Sequence, residues 1–163
     1  MWKKVKMTLL TLAVLIAVAV VAARFGAFVP LLPHKDPAPL DFKTLALPAS
    51  PNKYLAAPEG FSSAKADENS PVFNVSASAL KEKFTAALAQ QPRIERQAAS
   101  ADGLQIDFVQ RTPTIHWPDI VTVRFIPLTE TTSTVAVYSH SVYGYGDGGV
   151  NKARVKLLLS LLN

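Results

Sequence analysis

The sequence predicts an α+β fold: a two-layer sandwich of an antiparallel sheet of three to four strands with two helices, plus one N-terminal transmembrane helix. Three observations carry this expectation. An apolar run opens the chain, period-two stretches follow one another between residues 104 and 141, and helix-period stretches flank them at 77–90 and 149–162. A chain of 163 residues has room for one modest domain of roughly 150 residues or fewer with appendages.

Met7 to Ala23 is a stretch of 17 uncharged residues in which only Thr8 and Thr11 are not apolar. A bilayer core of about 30 Å needs roughly 20 helical residues. Arg24 can snorkel, and Phe25 to Val29 extends the stretch to a span of residues 7–29. A cleaved export signal competes with an anchor, since Ala17-Val18-Ala19 has the small-x-small pattern of a cleavage site. That triplet lies inside the apolar run, so length favours the anchor. Lys3, Lys4 and Lys6 precede the run and only Arg24 follows it, which orients residues 1–6 to the cytoplasm. The expected location is therefore the inner membrane, single-pass, with the remainder periplasmic or otherwise extracytoplasmic.

The net charge of +5 has the same origin. Met1 to Arg24 contributes +4, Phe25 to Glu59 nothing, and the residues from Gly60 onward +1. Nucleic-acid binding needs basic residues clustered on a folded surface, so that class of function is excluded. The chain has no cysteine, which rules out a disulfide framework, a thiolate metal site and a Cys nucleophile.

Seven of the twelve prolines fall between Pro30 and Pro58. Such density forbids a regular helix and favours extended backbone. Residues 30–47 are expected to be a spacer between membrane and domain, and 48–163 the domain itself.

Within the domain, Leu80, Phe84 and Leu88 recur every four residues between a Ser76 or Ser78 cap and Pro92, predicting a helix over 77–90. A weak strand signal follows at 93–97, and Ala101-Asp102-Gly103 is a turn. Leu104, Ile106 and Phe108 alternate with Gln105 and Asp107, the pattern of a half-buried strand. Thr112 to Pro118 reads as a loop, Val121 to Phe125 as a strand, and Thr134 to Ser141 as the last strand. Asp147 is placed to cap a final helix from Gly149 to Leu162 whose buried stripe is expected at Val150, Ala153, Leu157 and Leu161.

Few side chains offer a reaction. Gly144-Tyr145-Gly146-Asp147-Gly148-Gly149 matches a dinucleotide fingerprint literally, but only 14 residues remain after Gly149, too few for the second parallel strand that fold needs. The glycines then serve a tight strand-to-helix turn. Ser139, His140 and Asp147 have the residue types of a hydrolase triad, yet Ser139 and His140 are neighbours on a strand and point to opposite faces. His116, Asp119 and His140 match no metal-ligand spacing. Trp117, Tyr138, Tyr143 and Tyr145 are either an aromatic surface or core and rim packing. Asn151 and Arg154, one turn apart, are expected to bond neighbouring loops or an acid such as Asp119 or Asp147.

The pattern Ser139-x-Ser141-x-x-Gly144-x-x-Asp147-x-Gly149-x-Asn151-x-x-Arg154 resembles the signature of the bacterial domain-of-unknown-function family numbered 1499. Trp117-Pro118-Asp119, leading into a strand, and Pro51-Asn52 at the N-terminal edge are similar to that family too, so the resemblance runs from about Leu47 to Leu162. It implies an often membrane-anchored or exported domain and brings no established activity. Trp117, Asp119, Ser139, Ser141, Asp147, Asn151 and Arg154 are the candidate binding residues. The expected function is binding of an envelope protein, a lipid or a small ligand without catalysis, with no cofactor and no metal. The alternative is an envelope hydrolase acting around the last strand and its Gly-rich turn. The oligomeric state is left open.

Overall fold

The computed structural model describes residues 2–24 and 39–163. Contacts divide the chain into two compact units, one of Met1–His34 with Thr112–Trp117 and one of Lys35–Arg111 with Pro118–Asn163.

In the first unit, α1 (Trp2–Arg24) is a 23-residue helix. At 1.5 Å per residue it extends about 34 Å, long and apolar enough to cross a membrane, as an anchor or a signal sequence is. Its two hydroxyls are satisfied within the helix: Thr8 Oγ1 donates to Lys4 O and Thr11 Oγ1 to Met7 O. Neither side chain therefore leaves an unpaired hydroxyl on the surface of the apolar helix. The helix starts earlier than the expected span of 7–29, and residues 25–29 of that span lie outside the described residues.

The second unit is built on one antiparallel sheet. Its elements are β1 (Lys53–Ala56), β2 (Val72–Phe73), α2 (Ala77–Leu88), β3 (Ile94–Ala99), β4 (Gln105–Arg111), β5 (Pro118–Pro127), β6 (Ser133–Ser141) and α3 (Val150–Ser160). The sheet has six strands, not three to four: β1-β6-β5-β4-β3 in order, with β2 pairing β6 beside β1. The two extra strands, β1 and β2, are short; β1 sits in the Pro-rich region and β2 directly follows Pro71. Pairing with β6 makes them strands; their own alternation does not.

The register sorts the side chains by face. Ile106 and Phe108 of β4, Val121, Val123 and Phe125 of β5, and Val135 and Val137 of β6 share one face with Ala56. There α2 contributes Leu80, Phe84 and Leu88, and α3 contributes Val155, Leu158 and Leu159. Phe84 sits edge-on to Phe125 at 5.5 Å, an arrangement aromatic pairs favour. Ser76 caps α2 by accepting from Ala79 N.

On α3 the expected stripe is corrected. The buried residues are Asn151, Arg154, Val155, Leu158 and Leu159, while Leu157 is 47% exposed. Two polar residues lead the buried face, so the apolar pattern alone points the helix one position, or about 100°, out of phase.

The opposite face is covered as well. Leu55, Ala57, Ala136 and Tyr138 form a second cluster with Phe42, and Leu40, Leu45, Leu47 and Phe61 pack against it. Phe42 is only 2% exposed, and Gln105 Nε2 donates to Leu40 O. Residues 39–47 of the expected spacer are therefore part of the domain, and residues 30–38 lie outside the described residues. An irregular layer thus stands behind the sheet, opposite the helices.

Candidate functional site

Toward one end of the sheet, the helix-covered face changes from apolar to polar along each strand. Ile106 and Phe108 are followed by Gln110 on β4, Val123 and Val121 by Asp119 on β5, and Val137 by Ser139 and Ser141 on β6. Gln110 pairs with Asp119 and Asp119 with Ser141, so these three form one row across the strands. Over this row α3 sets Asn151 and Arg154, three residues apart on its inner face.

Arg154 is the hub. Its Nε donates to Gln110 Oε1 at 2.8 Å, Nη1 to Ser139 Oγ at 3.0 Å and Asn151 Oδ1 at 2.7 Å, and Nη2 to Asp119 Oδ2 at 2.6 Å. The Arg154–Asp119 ion pair is buried on both sides, with side-chain exposures of 6% and 1%. Asp119 Oδ1 is buried too and has no hydrogen-bond partner among the described residues. Arg154 is thus the cation that makes a buried carboxylate tolerable there.

Asn151 carries the network outward. Its Oδ1 also accepts from Ser139 Oγ at 2.6 Å. Its Nδ2 lies 2.8 Å from Asp147 Oδ2, 3.0 Å from Ser141 Oγ and 3.0 Å from Asn52 O, three acceptors for two N–H bonds. Asn52 in turn donates from Nδ2 to Gly144 O at 2.6 Å, pinning the start of the Gly-rich turn to the entry of β1.

The turn has a reason for its glycines. Gly144, Gly148 and Gly149 have φ of 83°, 61° and 85°, in the left-handed region that side-chain-bearing residues seldom enter. Gly149 is the N-cap of α3 and brings no side chain to the cap. Asp147 does that work from two residues upstream. Its Oδ1 accepts from Gly149 N at 3.0 Å and its Oδ2 from Asn151 N at 2.7 Å. Burial acts to raise the Asp147 pKa, but these backbone donors and the Asn151 amide outweigh it and hold the carboxyl below its ordinary value.

Beside the turn lies a cleft of about 450 Å³ walled by Gly146–Gly149, Lys53, Tyr54, Asp67 and Lys152. Asp67 Oδ2 is engaged by Leu55 N, Tyr54 donates to Glu68 Oε2 at 2.9 Å, and Lys152 Nζ stands 5.9 Å over the Tyr54 ring. Burial, followed by the Glu68 hydrogen bond and negative charge, pushes the Tyr54 phenol up to about 12. A larger recess of about 540 Å³ lies within the 57–69 loop and touches none of the network residues.

The structure therefore brings together Asp119, Ser139, Ser141, Asp147, Asn151 and Arg154. Trp117 falls in the other unit, where its N–H donates to Thr112 Oγ1 and its carbonyl accepts from Thr112 N. Tyr138 is buried in the rear cluster, and Tyr145 is 77% exposed, so the four aromatics divide between core and surface. His140 points to the face opposite Ser139, with its ring 5.0 Å from that of Tyr138. Ser139 has an amide oxygen, not a base, as its acceptor. Among the described residues no cluster of three metal-ligating side chains occurs. Gln110 joins the network without a place among the expected site residues. The signal was present, because Gln110 continues the Ile106–Phe108 alternation onto the buried face, where a polar residue needs a partner.

The family model described as Protein of unknown function (DUF1499) matches residues 46–162. Among the curated proteins, none matches this chain.

Proposed function

We propose that this chain, which belongs to the DUF1499 family, is a membrane-anchored domain that binds a partner protein or small ligand in the cell envelope without catalysis. The observation that carries this reading is how the chemistry-bearing side chains are used. Arg154, Asp119, Ser139, Asn151 and Asp147 bond to one another, to Gln110 and Ser141 and to backbone, with Asp119 Oδ1 alone among the buried side-chain oxygens of the set left without a partner among the described residues. A nucleophile needs a base within reach, and the Ser139 hydroxyl is donated to the Asn151 amide instead. What the network accomplishes is placement. It ties β1, β6, α3 and the Gly-rich turn into a fixed rim, and the cleft beside that rim carries two lysines, two carboxylates and a tyrosine. Fixed concave surfaces with a few convergent polar groups are where ligands bind. Lys3, Lys4 and Lys6, at the start of α1 and ahead of its apolar run, support an N-terminus in the cytoplasm and a binding domain outside it.

The test uses the full chain in its native membranes. A photo-crosslinking residue replaces Tyr145, which stands out from the turn, or Glu130, at the far end of the sheet. A discrete adduct from position 145 and none from position 130 is the expected result. No adduct from 145, or the same adducts from both, would defeat the proposal. A reporter fused to the C-terminus and active only in the cytoplasm would defeat the topology.

A further inference from the structure

We infer that the β4–β5 loop, residues 112–117, is a membrane-contact element that seats Ile115 and Trp117 at the headgroup boundary of the bilayer that anchors the chain. This rests on the reading of α1 as an anchor.

The loop is Thr112-Pro113-Thr114-Ile115-His116-Trp117 and contains no Asp, Glu, Lys or Arg. The other two hairpin turns of the sheet do carry acids, Asp102 between β3 and β4 and Glu130 between β5 and β6. A carboxylate is costly to bring into the headgroup boundary, so only the 112–117 connection has the composition to enter it. Its large apolar side chains face outward: Ile115 is 40% exposed and Trp117 39%. The neck is closed by Thr112 N to Trp117 O at 2.9 Å and Trp117 N to Thr112 Oγ1 at 3.0 Å, which presents the tip as a formed loop. Tryptophan is the residue that favours the interfacial zone, its ring in the acyl boundary and its N–H among headgroups.

The second line of argument is placement. The loop belongs to the same compact unit as Met1–His34, the segment that holds the apolar helix. The 14 residues from 25 to 38 span at most about 50 Å of extended chain. A domain on so short a tether stays beside the lipid surface, so an exposed apolar loop meets lipid at high effective concentration. A tethered domain also needs little from the contact itself, and two interfacial side chains suffice to bias its orientation.

The chain has two tryptophans, Trp2 and Trp117, which makes the test direct. Full-length Trp2→Phe and Trp117→Phe variants are reconstituted into phosphatidylcholine vesicles with or without bromine on the acyl carbons near the headgroup. In the Trp2→Phe protein, Trp117 should lose fluorescence to the brominated lipid and be shielded from aqueous iodide. Adding Ile115→Glu should diminish the lipid quenching. A Glu130→Trp probe in a chain lacking both native tryptophans should show the reverse, quenched by iodide and not by lipid. Trp117 indifferent to brominated lipid overturns the inference, whether iodide reaches it (a loop in water) or not (a loop covered by protein). Quenching unaffected by Ile115→Glu, or equal at position 130, overturns it as well. The Trp117→Phe protein separates the two readings. If lipid quenches Trp2 while Trp117 is indifferent, the anchor stands and only the loop inference falls. If neither Trp2 nor a Leu10→Trp probe within the apolar run is quenched, both fall.

Discussion

Replacing Arg154 by alanine removes the hub of the buried network, and its cost can be worked from the contacts. The substitution deletes four hydrogen bonds and leaves the Asp119 carboxylate, 0% exposed, without its cation. Breaking a buried ion pair by removing one partner costs about 3–5 kcal/mol, mostly because the remaining charge is desolvated and uncompensated. At about 4 °C per kcal/mol for a domain of this size, the melting temperature should fall by about 12–20 °C. The assay is thermal melting of the full-length chain followed by circular dichroism. A companion variant, Asp119→Leu with Arg154→Met, removes both charges and fills the space with apolar side chains, so it should recover more than half of the loss. If Arg154→Ala melts within about 2 °C of the parent, the hub does not hold the fold as argued. If the double variant is less stable than Arg154→Ala, the cost does not come from an orphaned charge.

Gly149→Ala should destabilise by about 1–2 kcal/mol in denaturant titration, because φ is +85° and an added Cβ meets nothing within 4 Å, so backbone strain is the whole effect; an unchanged midpoint would contradict this. Asp147→Asn should flatten the acid side of the stability profile. The parent's carboxyl is held below its ordinary value, so its contribution is present above about pH 4 and lost as pH falls through the lower folded value. Melting at stepped pH checks this, and parallel acid limbs for the two proteins would refute it. In spectrophotometric titration Tyr54 and Tyr138 should ionise late, near 12, Tyr138 because of burial and then the negative charge of Asp67. Both phenols are raised in the fold, so their stabilising contribution is complete below about pH 10 and disappears as pH rises through the folded values. Tyr138→Phe should remove one late-titrating phenol.

How far the fold could be read from the sequence depended on where each element gets its stability. The helix at 77–88 buries one stripe, and β4, β5 and β6 place apolar side chains at every second position under the helices, so their periodicity is visible residue by residue although both faces of these strands are buried. The four residues of β1 and the two of β2 show no such period and are strands only through β6, a tertiary partner that local pattern does not encode. The face of α3 was misjudged for a related reason. Asn151 and Arg154 look like surface residues until the row Gln110–Asp119–Ser141 beneath them supplies partners. The expectation that Arg154 bonds an acid such as Asp119 or Asp147 follows from charge and residue type, and the structure gives it Asp119, whereas Gln110 carries no charge to announce a partner. Nothing local announced that residues 39–47 would fold back on the sheet, since proline density reads the same in a spacer and in a packed extended layer.

That layer has a consequence for how the domain can be detached from its N-terminal helix. The family match begins at residue 46, downstream of Leu40, Phe42 and Leu45. A protein trimmed to that boundary would lose the burial of Phe42 alone, worth about 1.5–3 kcal/mol. It would also uncover Leu55, Ala57, Ala136 and Tyr138 on the rear of the sheet. A proteolytic cut before residue 39 releases an intact domain, and a cut a few residues later releases one with a raw apolar wall. The limit for shedding the domain soundly is therefore set by Leu40 and Phe42, several residues before the point where sequence similarity starts.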